Sequence, residues 1–102
     1  VITQVSQPTF SRYVHRNSAI LGGEPVVAGT SIPVRTIIEM WRLGMSVEEI
    51  HEGLPDLTLA QIFDALSFYQ DNVAEINAYI ERNRITDAMI RETANRTLRN
   101  AA

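Results

Sequence analysis

Cysteine is absent from this 102-residue sequence, which excludes disulfides, thiol nucleophiles and thiolate metal sites. No apolar run approaches the ~18 residues of a transmembrane helix. The stretch from Val1 to Phe10 has neither the basic block nor the apolar block of a signal peptide. These absences predict a cytoplasmic chain with no membrane association. Lysine is missing too, so all nine basic residues are arginine. Arginine makes planar, two-pronged contacts with carboxylates and phosphates, where lysine offers a mobile point charge. A codon-biased genome produces the same pattern. A net charge of −3 lacks the positive excess of a nucleic-acid binder. The two histidines, His15 and His51, fall on different predicted elements. Gly22-Gly23 and Gly29 lack the spacing of a phosphate loop. No Ser–His–acid or metal-ligand set can be assembled. The composition therefore predicts no enzyme, no metal and no cofactor.

What is present suits one ordinary domain. Hydrophobic residues make up 45% and charged residues 21%, enough apolar matter for a core. Charge is divided unevenly. Residues 1–80 hold four arginines and nine acids, a balance of −5; residues 81–102 hold five arginines and three acids, a balance of +2. A locally basic tail follows an acidic body.

Three regions are expected. Residues 1–33 read as short strands and turns, from the β-formers around Tyr13-Val14, the turn signal Gly22-Gly23 and the short apolar run Val26-Val27-Ala28. Residues 34–82 read as a helical, helix-turn-helix-like domain. Residues 83–102 read as a basic C-terminal tail or helix. In the middle region Val34, Ile37, Ile38 and Trp41 fall on one helix face. Pro33 suits the first helical turn, and Gly44 suits the left-handed position after the helix end. Ser46-Val47-Glu48-Glu49 and Thr58-Leu59-Ala60-Gln61 are capping boxes, each flanked by a hydrophobic pair placed as a staple. Helices are expected near 33–43, 46–53 and 58–82. The predicted core is Val34, Ile37, Ile38, Trp41, Ile50, Leu54, Ile62 and Leu66, with Trp41→Ala expected to cost roughly 3–5 kcal/mol.

The third helix carries a long seam. Leu59, Ile62, Leu66, Tyr69, Val73, Ile76 and Ile80 alternate at spacings of three and four. A small body offers little surface to cover its second half. The reading favoured here is a homodimer whose interface includes Val73, Ile76, Tyr79 and Ile80. The alternative is packing of that face on the same subunit.

The run Gly22-Gly23-Glu24-Pro25-Val26-Val27-Ala28-Gly29-Thr30-Ser31-Ile32-Pro33-Val34 resembles the signature of the domain-of-unknown-function 433 family. The likeness continues through Leu43-Gly44-Met45-Ser46, Glu48-Glu49-Ile50, Leu54-Pro55-Asp56-Leu57-Thr58, Ala65-Leu66 and Tyr69, covering roughly residues 12–76. The patterning predicts a mainly α fold with a small N-terminal β part and a helix-turn-helix whose third helix is extended, and the resemblance implies that this helical part is homeodomain-like. It also implies an antitoxin of a toxin–antitoxin pair, with a PIN-like nuclease as partner. Two positions depart from the family pattern. Glu24 stands where a basic residue is frequent, and Ser31 where arginine is frequent, so any phosphate contact there is lost.

Two interaction surfaces follow. Residues 34–72 carry two arginines and seven acids, and Thr58 to Asp71 contains no arginine, so the third helix lacks the attraction for phosphate that a recognition helix needs. If operator DNA is bound, Arg12 and Arg16 on a strand, with Arg35 at a helix start, are the better candidates, and dimerisation would place two such strands together as a β-ribbon. The tail is the expected toxin-binding segment, with Ile85, Met89 and Ile90 as apolar anchors. Arg91, Arg96 and Arg99 would reach the clustered carboxylates that the resemblance implies for the nuclease site. The alternatives are a DNA-binding regulator without a toxin, or a structural protein-interaction module. A solvated tail that merely balances the acidic body is the plainest alternative for residues 83–102.

Overall fold

A computed structural model describes residues 11–100. Two short strands, β1 (Val14–His15) and β2 (Val26–Val27), precede four helices: α1 (Val34–Arg42), α2 (Val47–Gly53), α3 (Leu59–Asp71) and α4 (Val73–Asn100). The chain is mainly α with a small β part, as expected. The strands are antiparallel, with Val14 opposite Val27 and His15 opposite Val26. A 3-10 turn at Leu21–Gly23 reverses the chain between them. Gly22 and Gly23 there have φ of 65° and 90°, a region where a Cβ is strained. The segment after β2 folds back on itself. Val27 N–H donates to Ile32 at 2.9 Å, and the Thr30 hydroxyl donates to the Val27 carbonyl at 2.8 Å. Val34 N–H then bonds Pro25 at 3.0 Å, so the β part hands the chain directly to α1.

Both capping boxes form. Ser46 Oγ accepts from Glu49 N–H at 3.1 Å while Glu49 accepts from Ser46 N–H at 3.0 Å. Thr58 and Gln61 exchange the same bonds at 3.1 and 2.7 Å. These pairs satisfy donors that the first helical turn leaves unpaired. Pro33 is the N-cap of α1 rather than its first helical residue. At the other end Gly44, with φ of 90°, donates to Trp41 at 3.0 Å, and Met45 donates to Met40 at 3.3 Å. That pair of bonds is a Schellman stop, which requires the left-handed residue between them. His51 closes the α2–α3 loop: Nδ1 lies 2.7 Å from the Leu57 carbonyl. A carbonyl only accepts, so Nδ1 carries the proton.

The third helix does not run to residue 82. It ends at Asp71, and α4 begins at Val73. Asn72 sits between them with φ −139° and ψ 39°. Its side-chain amide donates back to the Phe68 carbonyl at 3.0 Å, and its own carbonyl accepts from Ile76 N–H at 3.1 Å. The second bond is the first of the new helix, which makes Asn72 an N-cap. The redirected α4 packs on α1 as well as α3. In that position Ile76 is fully buried in the subunit's own core.

The core joins all six elements: Val14 and Val27, then Val34, Ile37, Ile38, Ile50, Leu57, Ile62, Ala65, Tyr69 and Ile76. Leu54 and Leu66 are partly buried against it. Trp41 departs from expectation. It shares the helix face of Val34 and Ile38, yet 43% of it is exposed. It lies in the last turn of α1, where its contact is the edge of Tyr69, ring centroids 6.4 Å apart at 63°. A substitution there removes an edge-to-face contact and partial burial, so the full core penalty expected above does not apply.

Candidate interaction surface

The three N-terminal arginines have different surroundings. Arg12 is exposed and stacks over Tyr13, 5.6 Å from the ring centroid. Arg16 leaves the end of β1 and grips Glu75 on α4 with both prongs, one at 2.8 Å. Its guanidinium also lies over Phe68 at 5.7 Å. The Arg16 hydrogen bond holds the Glu75 carboxyl below the usual carboxylate range. Arg35, in the first turn of α1, has only 17% of its side chain exposed and faces Glu24 at 2.6 Å. Two of the three arginines are thus held by carboxylates of the same chain, and α1 packing turns Arg35 inward.

Glu24 and Arg35 form the most enclosed charged pair among the described residues. Glu24 is 4% exposed. The 2.6 Å approach is not a well-aligned hydrogen bond, because Glu24 Oε1 and Arg35 Nε both lack a correctly directed partner. Attraction here is charge on charge. Burial pushes the Glu24 carboxyl above its ordinary value, and the field of Arg35 opposes that rise. The family departure at Glu24 therefore has a structural use, since the acid neutralises an inward arginine. Asp64 is another acid with such a role. It accepts from Ser11 Oγ at 2.6 Å and Tyr13 N–H at 3.0 Å, tying the segment before β1 to α3. Sequence reasoning gave Glu24, Asp64 and Glu75 no partners, because each pairs with a residue on a distant element and no local pattern marks such pairs.

An open groove of about 830 Å³ lies between the β part and the α2–α3 loop, with His15, Ser31 and Asp56 on its walls. These side chains belong to separate segments, and the sequence carries no motif that joins them.

The expected dimer residues also divide. Ile76 is committed to the subunit core, Val73 is 39% exposed, and Tyr79 and Ile80 are half-buried. The burial of Ile76 removes the reason for placing a second copy on that part of the seam.

Beyond Asn83 the surroundings change. Every residue from Arg84 to Arg99 is exposed. Ile85, Met89, Ile90 and Leu98 are 51%, 65%, 63% and 71% exposed. Arg84 pairs with Glu81 at 2.7 Å, Arg96 with Glu92 at 3.4 Å, and Arg99 with Glu92 at 3.9 Å. Arg82 stacks over Tyr79 at 5.2 Å. Arg91 has no carboxylate partner among the described residues. All six expected toxin contacts (Ile85, Met89, Ile90, Arg91, Arg96 and Arg99) therefore lie on the projecting part of one continuous helix. No helix among the described residues is long and apolar enough to cross a membrane.

The arrangement defines a class: a small helical body braced by a two-stranded β part, with one helix extended beyond it. The chain belongs to the DUF433 family, described as "Protein of unknown function (DUF433)", whose sequence profile matches residues 14–69. It is similar to a solved DUF433 member protein from Anabaena variabilis, at 25% identity over 67% of each chain with a TM-score of 0.63. No curated protein matches it. The family match ends at Tyr69, so the whole of α4 lies outside it.

Proposed function

We propose that this protein is an antitoxin-like inhibitor that holds a PIN-like nuclease through the distal half of α4. The observation that supports this reading is the projecting segment itself. It presents exposed Ile85, Met89, Ile90 and Leu98 interleaved with arginines. A water-facing helix with that many apolar side chains fits a partner's groove better than solvent. Arginine is the side chain best shaped to pair with the clustered carboxylates of a metal-dependent nuclease. Ile85, Met89 and Ile90 act as anchors, and Arg91, Arg96 and Arg99 as the cations. Arg91 suits the latter role best, having no carboxylate to surrender among the described residues. Repression of its own operon, as an added activity, rests on Arg12, since Arg16 and Arg35 already face carboxylates.

Truncation after Arg82 tests the reading. The shortened chain keeps Ile76 and Ile80 and should retain its body helices by circular dichroism. It should lose binding to, and inhibition of, the nuclease encoded beside its gene. Full inhibition by the truncated chain places the contact on the body and ends this proposal.

A further inference from the structure

One side of the projecting helix carries no charge. At about 100° per residue, Asn83, Thr86, Ile90, Thr93, Ala94 and Thr97 share that side, while Arg84, Arg96 and Arg99 fall elsewhere. Its hydroxyl donors are already satisfied within the helix. The hydroxyls of Thr86, Thr93 and Thr97 donate to the carbonyls of Arg82, Met89 and Thr93, each at 3.0 Å. The Asn83 amide donates to the Tyr79 carbonyl at 2.8 Å. Hydroxyls bonded back in this way leave their methyl groups outward. The face can therefore be buried without stranding a hydroxyl donor, yet Ile90 at its centre is 63% exposed.

We propose that this face pairs with the same face of a second copy, antiparallel, about a two-fold axis at Ile90. The spacing is symmetric about that residue: Thr86 and Ala94 lie four positions to either side, Asn83 and Thr97 seven. The axis places Ile90 on Ile90, Thr86 on Ala94 and Asn83 on Thr97. Such an isologous contact closes on itself. The residues flanking Ile90 are small, which lets two helix backbones approach closely and cover its side chain.

Charge selects both the occupant and the direction. Glu81, Arg84, Glu92, Arg96 and Arg99 all have ion-pair partners within the helix, and Arg82 stacks on Tyr79. Asp87 and Arg91 have no ion-pair partner among the described residues, and they border the uncharged face on the same flank. Antiparallel pairing brings Asp87 of each copy beside Arg91 of the other, making two equivalent ion pairs. Parallel pairing sets Arg91 toward the second copy's Arg96 instead. An acidic nuclease site would seek the arginines rather than an uncharged stripe, so a second copy suits this face better. The inference does not depend on the nuclease reading. Where both hold, Ile90 and Arg91 are shared, and nuclease and second copy compete for them.

The chain's lack of cysteine makes the test direct. Full-length chain at high micromolar concentration should sediment as a dimer. Ile90→Cys should oxidise rapidly to a covalent dimer, whereas Ile85→Cys, on another side of the helix, should not. Thr86→Cys alone should stay unlinked but should cross-link when mixed with Ala94→Cys. Asp87→Arg or Arg91→Asp alone should raise the dimer dissociation constant about tenfold, and the double reversal should restore it. Because Asp87 and Arg91 also lie four apart on one helix, it is the cysteine pattern, with Ile90 linking and Ile85 not, that separates pairing from any fault in folding. A monomer at high concentration overturns the proposal. So does a dimer that survives truncation after Arg82, or equal cross-linking at positions 85 and 90. Cross-linking of Thr86→Cys with itself overturns the antiparallel arrangement.

Discussion

Arg35 and Glu24 show how a single residue's surroundings decide its use. Arg35 was a candidate for phosphate, but its position at the start of α1 turns it onto a carboxylate that is 4% exposed. Two charges out of water are costly unless each compensates the other. Arg35→Met should therefore cost about 3–5 kcal/mol at neutral pH, because Glu24 is left charged and alone. The pH dependence has a definite sign. Burial raises the folded-state value of Glu24 above the ordinary carboxylate value, and losing Arg35 removes the main opposing influence. A raised group contributes stability that is full below its unfolded value and is lost as pH rises through the folded one. The penalty of Arg35→Met should thus shrink on mild acidification, as Glu24 takes up a proton. Urea denaturation of parent and variant, at neutral pH and at mildly acidic pH, measures this. A penalty that does not shrink refutes the buried-charge account. Glu75 has the opposite sign. Its value is lowered by Arg16, so its contribution is present above the ordinary range and fades as pH falls through the lowered value. The Arg16–Glu75 pair is half open to water, and exposed pairs add little, about 0–1 kcal/mol.

At the scale of elements, the break at Asn72 determines what α4 does. An uninterrupted helix would carry Val73 and Ile76 away from the body. The cap at Asn72 instead redirects the chain so that Ile76 enters the core beside α1. Ile76→Asp should consequently unfold the domain, since it buries an unpaired charge. Loss of the cooperative thermal transition is the expected result. A folded, monomeric Ile76→Asp variant would show that this position faces a partner after all. The helix starts at Ser46 and Thr58 were legible in the sequence because a capping box is a local device, written within four residues. The stop at Gly44 was legible for the same reason. The third start was written in the same code, as Asn72-Val73-Ala74-Glu75, but the regular apolar seam on either side of it masked the signal. Glu75 does not close the box; its carboxylate goes to Arg16, just past the end of β1. Trp41 failed for a different reason. Periodicity assigns a face, but not how far the neighbouring elements extend to cover it.

For the whole molecule, the body and the projecting half of α4 differ in what holds them. The body shares one apolar core from Val14 to Ile76, so it should open as one cooperative unit. Arg84 to Asn100 extends the same helix, and every residue from Arg84 to Arg99 is exposed among the described residues. Isolated helices of such length are marginal in water, because tertiary packing normally supplies most of their stability. Its local ion pairs, Arg84–Glu81 and Arg96–Glu92, are open to water and add little. Amide hydrogen exchange should therefore separate the molecule into two tiers. In dilute solution the amides of the core helices should be protected to the level of global unfolding, and those beyond Arg84 should exchange quickly. Raising the protein concentration should slow exchange beyond Arg84 while leaving the core amides unchanged, since pairing stabilises only the segment that it covers. Truncation after Arg82 should shift the stability of the body by no more than about 0.5 kcal/mol, as expected for loss of surface contacts. Protection beyond Arg84 equal to that of the core at every concentration would contradict this division. It would mean that the distal helix is held by the body itself, leaving neither a nuclease nor a second copy an open face to occupy.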